Sequence, residues 1–133
     1  MENVAKDAMR IANNWLLSAE LEANGNNFNI ALYSLEMALE ISVKAVLLEE
    51  EVNFPKKHDV IDQFKDLVNN KKKFSMLKAD LPEIIRIYSE LLASRNTAGY
   101  GFSPIKNDFK AEVEETLPIV KKLINLLASV IES

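Results

Sequence analysis

From about residue 28 to 51 the chain gives a helix almost no side to turn toward water. Leu32, Leu35, Ala38, Leu39, Val43, Val46 and Leu47, with Ile30 and Ile41, recur three and four apart and occupy more than one stripe. A helix apolar on several sides has to be surrounded, so this segment is expected to be the central element of an all-α protein. Only 3 glycines and 4 prolines in 133 residues agree with an almost wholly helical chain.

The other helices follow from the same spacing. A first helix is expected over about 2–23, with Val4, Ala8, Ile11, Ala12, Trp15, Leu16 and Ala19 inward, ended by the Asn-Gly-Asn-Asn run at 24–27. "HDVIDQFKDLV" at 58–68 reads as a short third helix with Val60, Ile61, Phe64, Leu67 and Val68 inward. Asp80 and Glu83 have the spacing of a capping box, and Pro82 suits a first turn, so a fourth helix starts near 81. It carries Ile84, Ile85, Tyr88, Leu91 and Leu92 as far as Gly99. A last helix over about 107–131 contains Pro118, which is expected to kink or break it.

With no repeat, low-complexity segment or linker, residues 1–133 are expected to form a single domain: an up-and-down antiparallel four-helix bundle with an additional short helix. If every helix reverses direction, the second and fourth run the same way. His58, Asp59, Arg95 and Tyr100 then gather at one pole.

Composition removes several classes of function. No apolar run approaches the roughly 18 residues of a membrane span, and no signal-peptide pattern opens the chain, so a cytoplasmic setting is expected. Without cysteine and with a single histidine, thiolate chemistry is excluded and neither a zinc site nor any other metal or cofactor is expected. The net charge of −4 is uneven: residues 55–79 hold seven lysines against Asp59, Asp62 and Asp66, a local +4 that leaves −8 elsewhere. That acidic remainder opposes tight sequence-independent binding of nucleic acid, while the lysine segment leaves room for a smaller basic site. Lys71, Lys72 and Lys73 themselves read as a solvated loop.

The stretch "LLASRNTAGYGFS" at 91–103 places Arg95 in line with Ile84, Tyr88 and Leu91, so its stem is expected to point inward, where a guanidinium must find acceptors. Glu40 and Lys44, four apart on the central helix, form one ordinary ion pair or supply that partner. His58 opens the third helix, with Asp59 beside the positive end of its dipole.

These residues resemble a family. Ala38, Glu40, Lys44 and Ala45, followed by Pro55, His58 and Asp59 and then by the Arg95 segment, look like the pattern of HEPN domains, helical modules found beside minimal nucleotidyltransferases in prokaryotes. The resemblance implies a helical bundle that commonly pairs through the fourth helix and its following loop. Family members with ribonuclease activity carry Arg-x4–6-His, in which arginine holds phosphate and histidine transfers protons. Here Arg95 and Asn96 match, but Tyr100 stands in place of histidine and Phe102 in place of the tyrosine that follows it. A phenol, with a reference pKa of ~10, is a poor base near pH 7.

Three readings follow. The leading one is a non-catalytic nucleotide- or partner-binding module working with a minimal nucleotidyltransferase, its ligand held by Arg95, His58, Asn96, Tyr100, Lys44 and Glu40. A toxin-type, metal-independent endoribonuclease using Arg95 with an atypical base is the second, and a purely structural bundle the third. No phosphate-cradling glycine loop and no paired metal carboxylates are found, so the chain is not itself expected to be a transferase. Tyr88, Leu92, Arg95 and Tyr100 form an interface-like mixture, and a homodimer is expected.

Overall fold

The computed structural model describes residues 3–100 and 109–132, without the side chains of 96–100 and 132. It contains α1 (Val4–Asn24), α2 (Phe28–Glu49), α3 (Ile61–Asn70), a 3-10 helix (Lys72–Leu77), α4 (Leu81–Tyr100) and α5 (Phe109–Glu132). The fold is all-α, as the periodicity requires.

The central position of α2 is plain in its burial. Thirteen of its residues are buried, among them Leu32, Leu35, Ala38, Leu39, Val43 and Val46, and it packs against α1, α3, α4 and α5. Alanines at Ala12, Ala19, Ala31 and Ala38, all fully buried, suit a close approach of α1 to α2. The pair is registered by Ser18 and Ser34, whose hydroxyls lie 3.3 Å apart. Trp15 meets Tyr33 edge to face, with 6.4 Å between ring centres.

Cross-contacts fix the helix directions. Ser94 bonds Glu112 and Lys122 bonds Glu83, so α4 and α5 run antiparallel. Arg95, late in α4, meets Tyr33 and Glu36 in the first half of α2, so these two also oppose one another. The long helices α1, α2, α4 and α5 therefore alternate up and down. The expectation that the second and fourth helices run the same way is corrected, and with it the meeting of their ends at one pole. The excursion through α3 and the 3-10 helix begins at the C-terminal end of α2 and returns to that end. It does not count as a leg of the bundle.

Local departures have identifiable causes. Asn3 caps α1 by accepting from the Lys6 N–H at 3.0 Å, and the inward face runs Ala5, Met9, Ala12, Leu16, Ala19 in alternating steps of four and three. Val4 and Ile11, expected inside, lie one step off this seam and are exposed, as is Ile30 on α2. At the α1–α2 turn the left-handed residue is Asn26, with φ 64°, rather than the neighbouring glycine, and asparagine tolerates that region. His58 lies before α3, which begins at Ile61. Asp59 accepts from the Ile61 N–H at 3.0 Å and turns the chain into that helix. The expected capping box is not closed: α4 starts at Leu81, but the Glu83 carboxylate accepts from Lys122 at 2.9 Å instead of reaching back to Asp80. Pro118 lies inside a continuous α5. Lys71, Lys72 and Lys73 are exposed as expected, although the last two belong to the 3-10 helix.

Tyr88 and Arg95, expected at an interface, are buried within the protomer. Neither presents an exposed patch.

Truncating a seam residue and an exposed one separates the two environments. Leu39→Ala, at a fully buried site, is expected to lower unfolding free energy by about 2–5 kcal/mol. Leu21→Ala, at a site 71% exposed, should change it by less than about 0.5 kcal/mol. Urea unfolding followed by circular dichroism checks both.

Candidate functional site

Tyr33, Glu36, Glu40 and Lys44 follow one another on α2 at spacings of three, four and four, which aligns them along one face of an otherwise apolar helix. Glu36 is fully buried and Glu40 is 3% exposed. Two carboxylates in such a place need cations, and the rest of the fold brings three candidate partners to them.

The first is Arg95. Its Nη2 donates to the Tyr33 hydroxyl at 2.8 Å, and the guanidinium carbon lies 4.7 Å from the centre of the Tyr33 ring, in range of a cation–π contact. Nη1 is 2.9 Å from Glu36 Oε1 and 3.5 Å from Glu40 Oε1. The 2.9 Å approach is not a hydrogen bond, since the Nη1 N–H directions fall off the line to the Glu36 oxygen, and the proton that Glu36 carries is the one it shares with Glu40. Arg95 is 8% exposed, so its stem points inward as expected. Lys44 is the second partner, with Nζ 2.9 Å from Glu40 Oε2 and 5.8 Å from the centre of the Phe54 ring.

His58 is the third. Its Nδ1 stands 3.0 and 3.1 Å from the two Glu40 oxygens, and the Tyr88 hydroxyl donates to its backbone carbonyl. One contact from α2 and one from α4 thus fix both the ring and the chain that carries it. With Nδ1 facing a carboxylate, the proton sits on Nδ1 and Nε2 is left as the acceptor. The side chain is 55% exposed. A carboxylate–imidazole pair of this form can accept a proton at the outer nitrogen, and the ring so protonated can donate to an anion there.

The titration of the pair is asymmetric. Burial, reinforced by the neighbouring Glu40, pushes the Glu36 carboxyl up to about 9 against the pull of Arg95 and Lys44. Burial acts to raise Glu40 too, but hydrogen bonds from Glu36, Lys44 and His58 outweigh it and hold Glu40 below the ordinary carboxylate range. The pair therefore holds one proton near neutrality, on Glu36, and one negative charge, on Glu40. Burial, and then the Glu40 charge, push the Tyr88 phenol well above its ordinary range, which keeps it a donor to His58.

The structure thus brings four of the sequence-derived site residues, Glu40, Lys44, His58 and Arg95, together. They converge on Glu40 midway along α2, because the 50–60 connection runs back along that helix. The side chains of Asn96 and Tyr100, and residue Phe102, lie outside the described residues. Glu36, Tyr33 and Tyr88 are additions to the site. Glu36 and Tyr33 had a usable signal, since polar groups in line on so apolar a helix need an explanation. Glu36 and Glu40 form a pair of neighbouring carboxyl groups that the sequence pattern does not single out. Together with His58 they offer three ligand atoms within 4.8 Å of one another. A metal ion there would compete with Arg95 and Lys44 for the same oxygens.

Comparison with family models matches residues 5–130 to the HEPN domain. The chain belongs to the HEPN domain family, and this membership supports a helical module related to nucleotides or RNA. Comparison with curated proteins and with solved structures gives no match.

Glu36 sets the expected pH response. Its folded pKa lies above its unfolded value, so between about 4.5 and 9 the unfolded chain has lost a proton that the folded chain keeps. Stability contributed by this group is complete below the unfolded value and is lost as pH rises toward 9. Urea midpoints of the native protein should fall from pH 6 to 9 relative to Glu36→Gln, whose amide keeps the neutral form throughout. Parallel profiles would contradict the assignment. Glu40→Gln removes the anion that His58, Lys44 and Arg95 face, and should cost about 3 kcal/mol at pH 7.

Proposed function

We propose that this HEPN domain is a non-catalytic binding module that takes a nucleotide phosphate, or the acidic segment of a partner protein, at the His58–Lys44 edge of the cluster, and works with a minimal nucleotidyltransferase in a toxin–antitoxin-like pair. The observation that carries this reading is the His58 ring, half in solvent and held by a buried carboxylate with an ammonium group alongside. Arg95 acts behind it as a positioning group: engaged by Tyr33, Glu36 and Glu40, it helps keep the Glu40 anion in place. The setting is cytoplasmic; no described helix is long and apolar enough to cross a membrane.

The Glu40–His58 pair also favours a second reading, an endoribonuclease in which His58 replaces the base missing at Tyr100. Against it stands Arg95, whose charge already faces two carboxylates. A phosphate contact by that guanidinium requires leaving them.

Calorimetry with ATP and an RNA cleavage assay in EDTA separate the two. Binding without cleavage is expected, with His58→Ala and Lys44→Ala each weakening ATP binding about tenfold. Cleavage abolished by His58→Ala would install the ribonuclease reading. HEPN domains are often dimeric, and we propose a homodimer here, formed through the outer side of α4, where Leu92 is half-buried. Sedimentation at high micromolar concentration should show a dimer; a monomer would remove this part.

A further inference from the structure

The excursion that carries His58 also carries most of the molecule's unneutralised positive charge. Lys56, Lys57, Lys65, Lys71, Lys72, Lys73 and Lys78 are all exposed. Among the described residues none of the seven forms a salt bridge, whereas Lys44, Lys121 and Lys122 each do. They share α3, the 3-10 helix and the flanking turns with three aspartates, on a chain whose other residues sum to −8. Charges of one sign left unpaired on a short element repel one another, and a polyanion is the partner that relieves this.

The chemistry of the surface selects among polyanions. Lysine is depleted in protein–protein interfaces, whose cores favour aromatic, methionine and arginine anchors. Here Phe74 is buried and Met76 is the exposed apolar residue among the lysines. Lysines are point charges that contact phosphate without reading a base edge. They also fan out: Lys71 is extended, and Lys72 and Lys73 follow it as the first two residues of a 3-10 helix, which turns about a third of a circle per residue. A stiff duplex meets one side of such an element, whereas a flexible strand can follow its curvature. The acidic remainder of the surface repels the same strand and steers it to this face. Resting on the RNA-related reading of the domain, we infer that the α3 and 3-10 segment is a docking surface for the phosphodiester backbone of single-stranded RNA, independent of sequence, leading the strand toward His58.

Fluorescence anisotropy with a labelled 20-nucleotide poly-U RNA tests this on the full chain. The native protein should bind with an affinity that falls steeply with salt. Lys71→Gln/Lys72→Gln/Lys73→Gln should weaken binding at least tenfold and reduce the salt slope by about 2, the share of three phosphate contacts on a single strand. Lys121→Gln/Lys122→Gln, at lysines already paired with Glu20 and Glu83, should change binding less than twofold. Because the substituted side chains are exposed, a circular dichroism melt should be unchanged, and Lys65→Gln/Lys78→Gln gives a second variant in case it is not. Absence of RNA binding, equal binding by the triple variant, or binding to anionic phosphatidylserine vesicles in place of RNA would overturn the inference. ATP binding at His58 is measured separately: its loss with lysine-dependent RNA binding intact would reject the nucleotide site and leave this surface standing.

Discussion

One buried anion organises the centre of this domain. Glu40 projects from the most enclosed helix and would be costly there without counter-charges. Lys44 reaches it from one turn away on the same helix, His58 from the following connection and Arg95 from α4. Because each of these partners comes from a different part of the chain, satisfying Glu40 ties those parts together. Glu36, one turn earlier, takes up a proton instead of a second negative charge. Apolar packing around α2 supplies the bulk of the enclosure, while the cluster specifies which stretch of α4 and which loop lie against it.

This arrangement explains which parts of the architecture could be read from the chain. The apolar pattern of residues 28–51 identified the central helix because burial on several sides leaves few polar positions to mislead. Helix direction was harder. The segment 58–68 has the periodicity of any amphipathic helix, and spacing carries no information about whether an element spans the bundle. Its length does: α3 has 10 residues and rises about 15 Å, against about 33 Å for the 22 of α2. A helix that short forms an excursion, so α4 sets out from the end where α2 stopped. The rotated face of α1 has a similar origin, since Val4 and Ile11 fit a helical stripe as well as Ala5 and Met9 do. The small residues won because α1 lies close to α2.

The site was half legible. Arg95 continues a line of buried residues, which marked it as an inward cation before its partners were known. Glu40 and Lys44 read either as an ordinary ion pair or as a partner for Arg95, and the burial of Glu40 follows from the identity of α2 as the central helix. The expected alternating topology puts His58 with Arg95 at a pole of the bundle, whereas the structure brings both to Glu40, midway along α2. The histidine's position depends on the connection doubling back along α2 and on Tyr88, whose hydroxyl anchors the His58 carbonyl across 30 residues of sequence. Glu36 was overlooked because a lone glutamate in a helix is ordinary; only in line with Tyr33, Glu40 and Lys44 does it become conspicuous.

Residues 5–130 match the HEPN family model, and the cluster shows what this member of the family does with Arg95: it turns the guanidinium inward. In the function we propose, this internally held arginine belongs to a domain that binds, with the Glu40–His58 pair as its accessible edge. The central claim is that Arg95 and Glu40 act on one another inside the fold. A double-mutant cycle with Arg95→Met and Glu40→Gln, read by urea unfolding at pH 7, measures that directly. The account predicts a coupling of at least about 1.5 kcal/mol, the double variant losing much less than the two single losses added together. Additive losses would mean that the two groups act independently, and would contradict it.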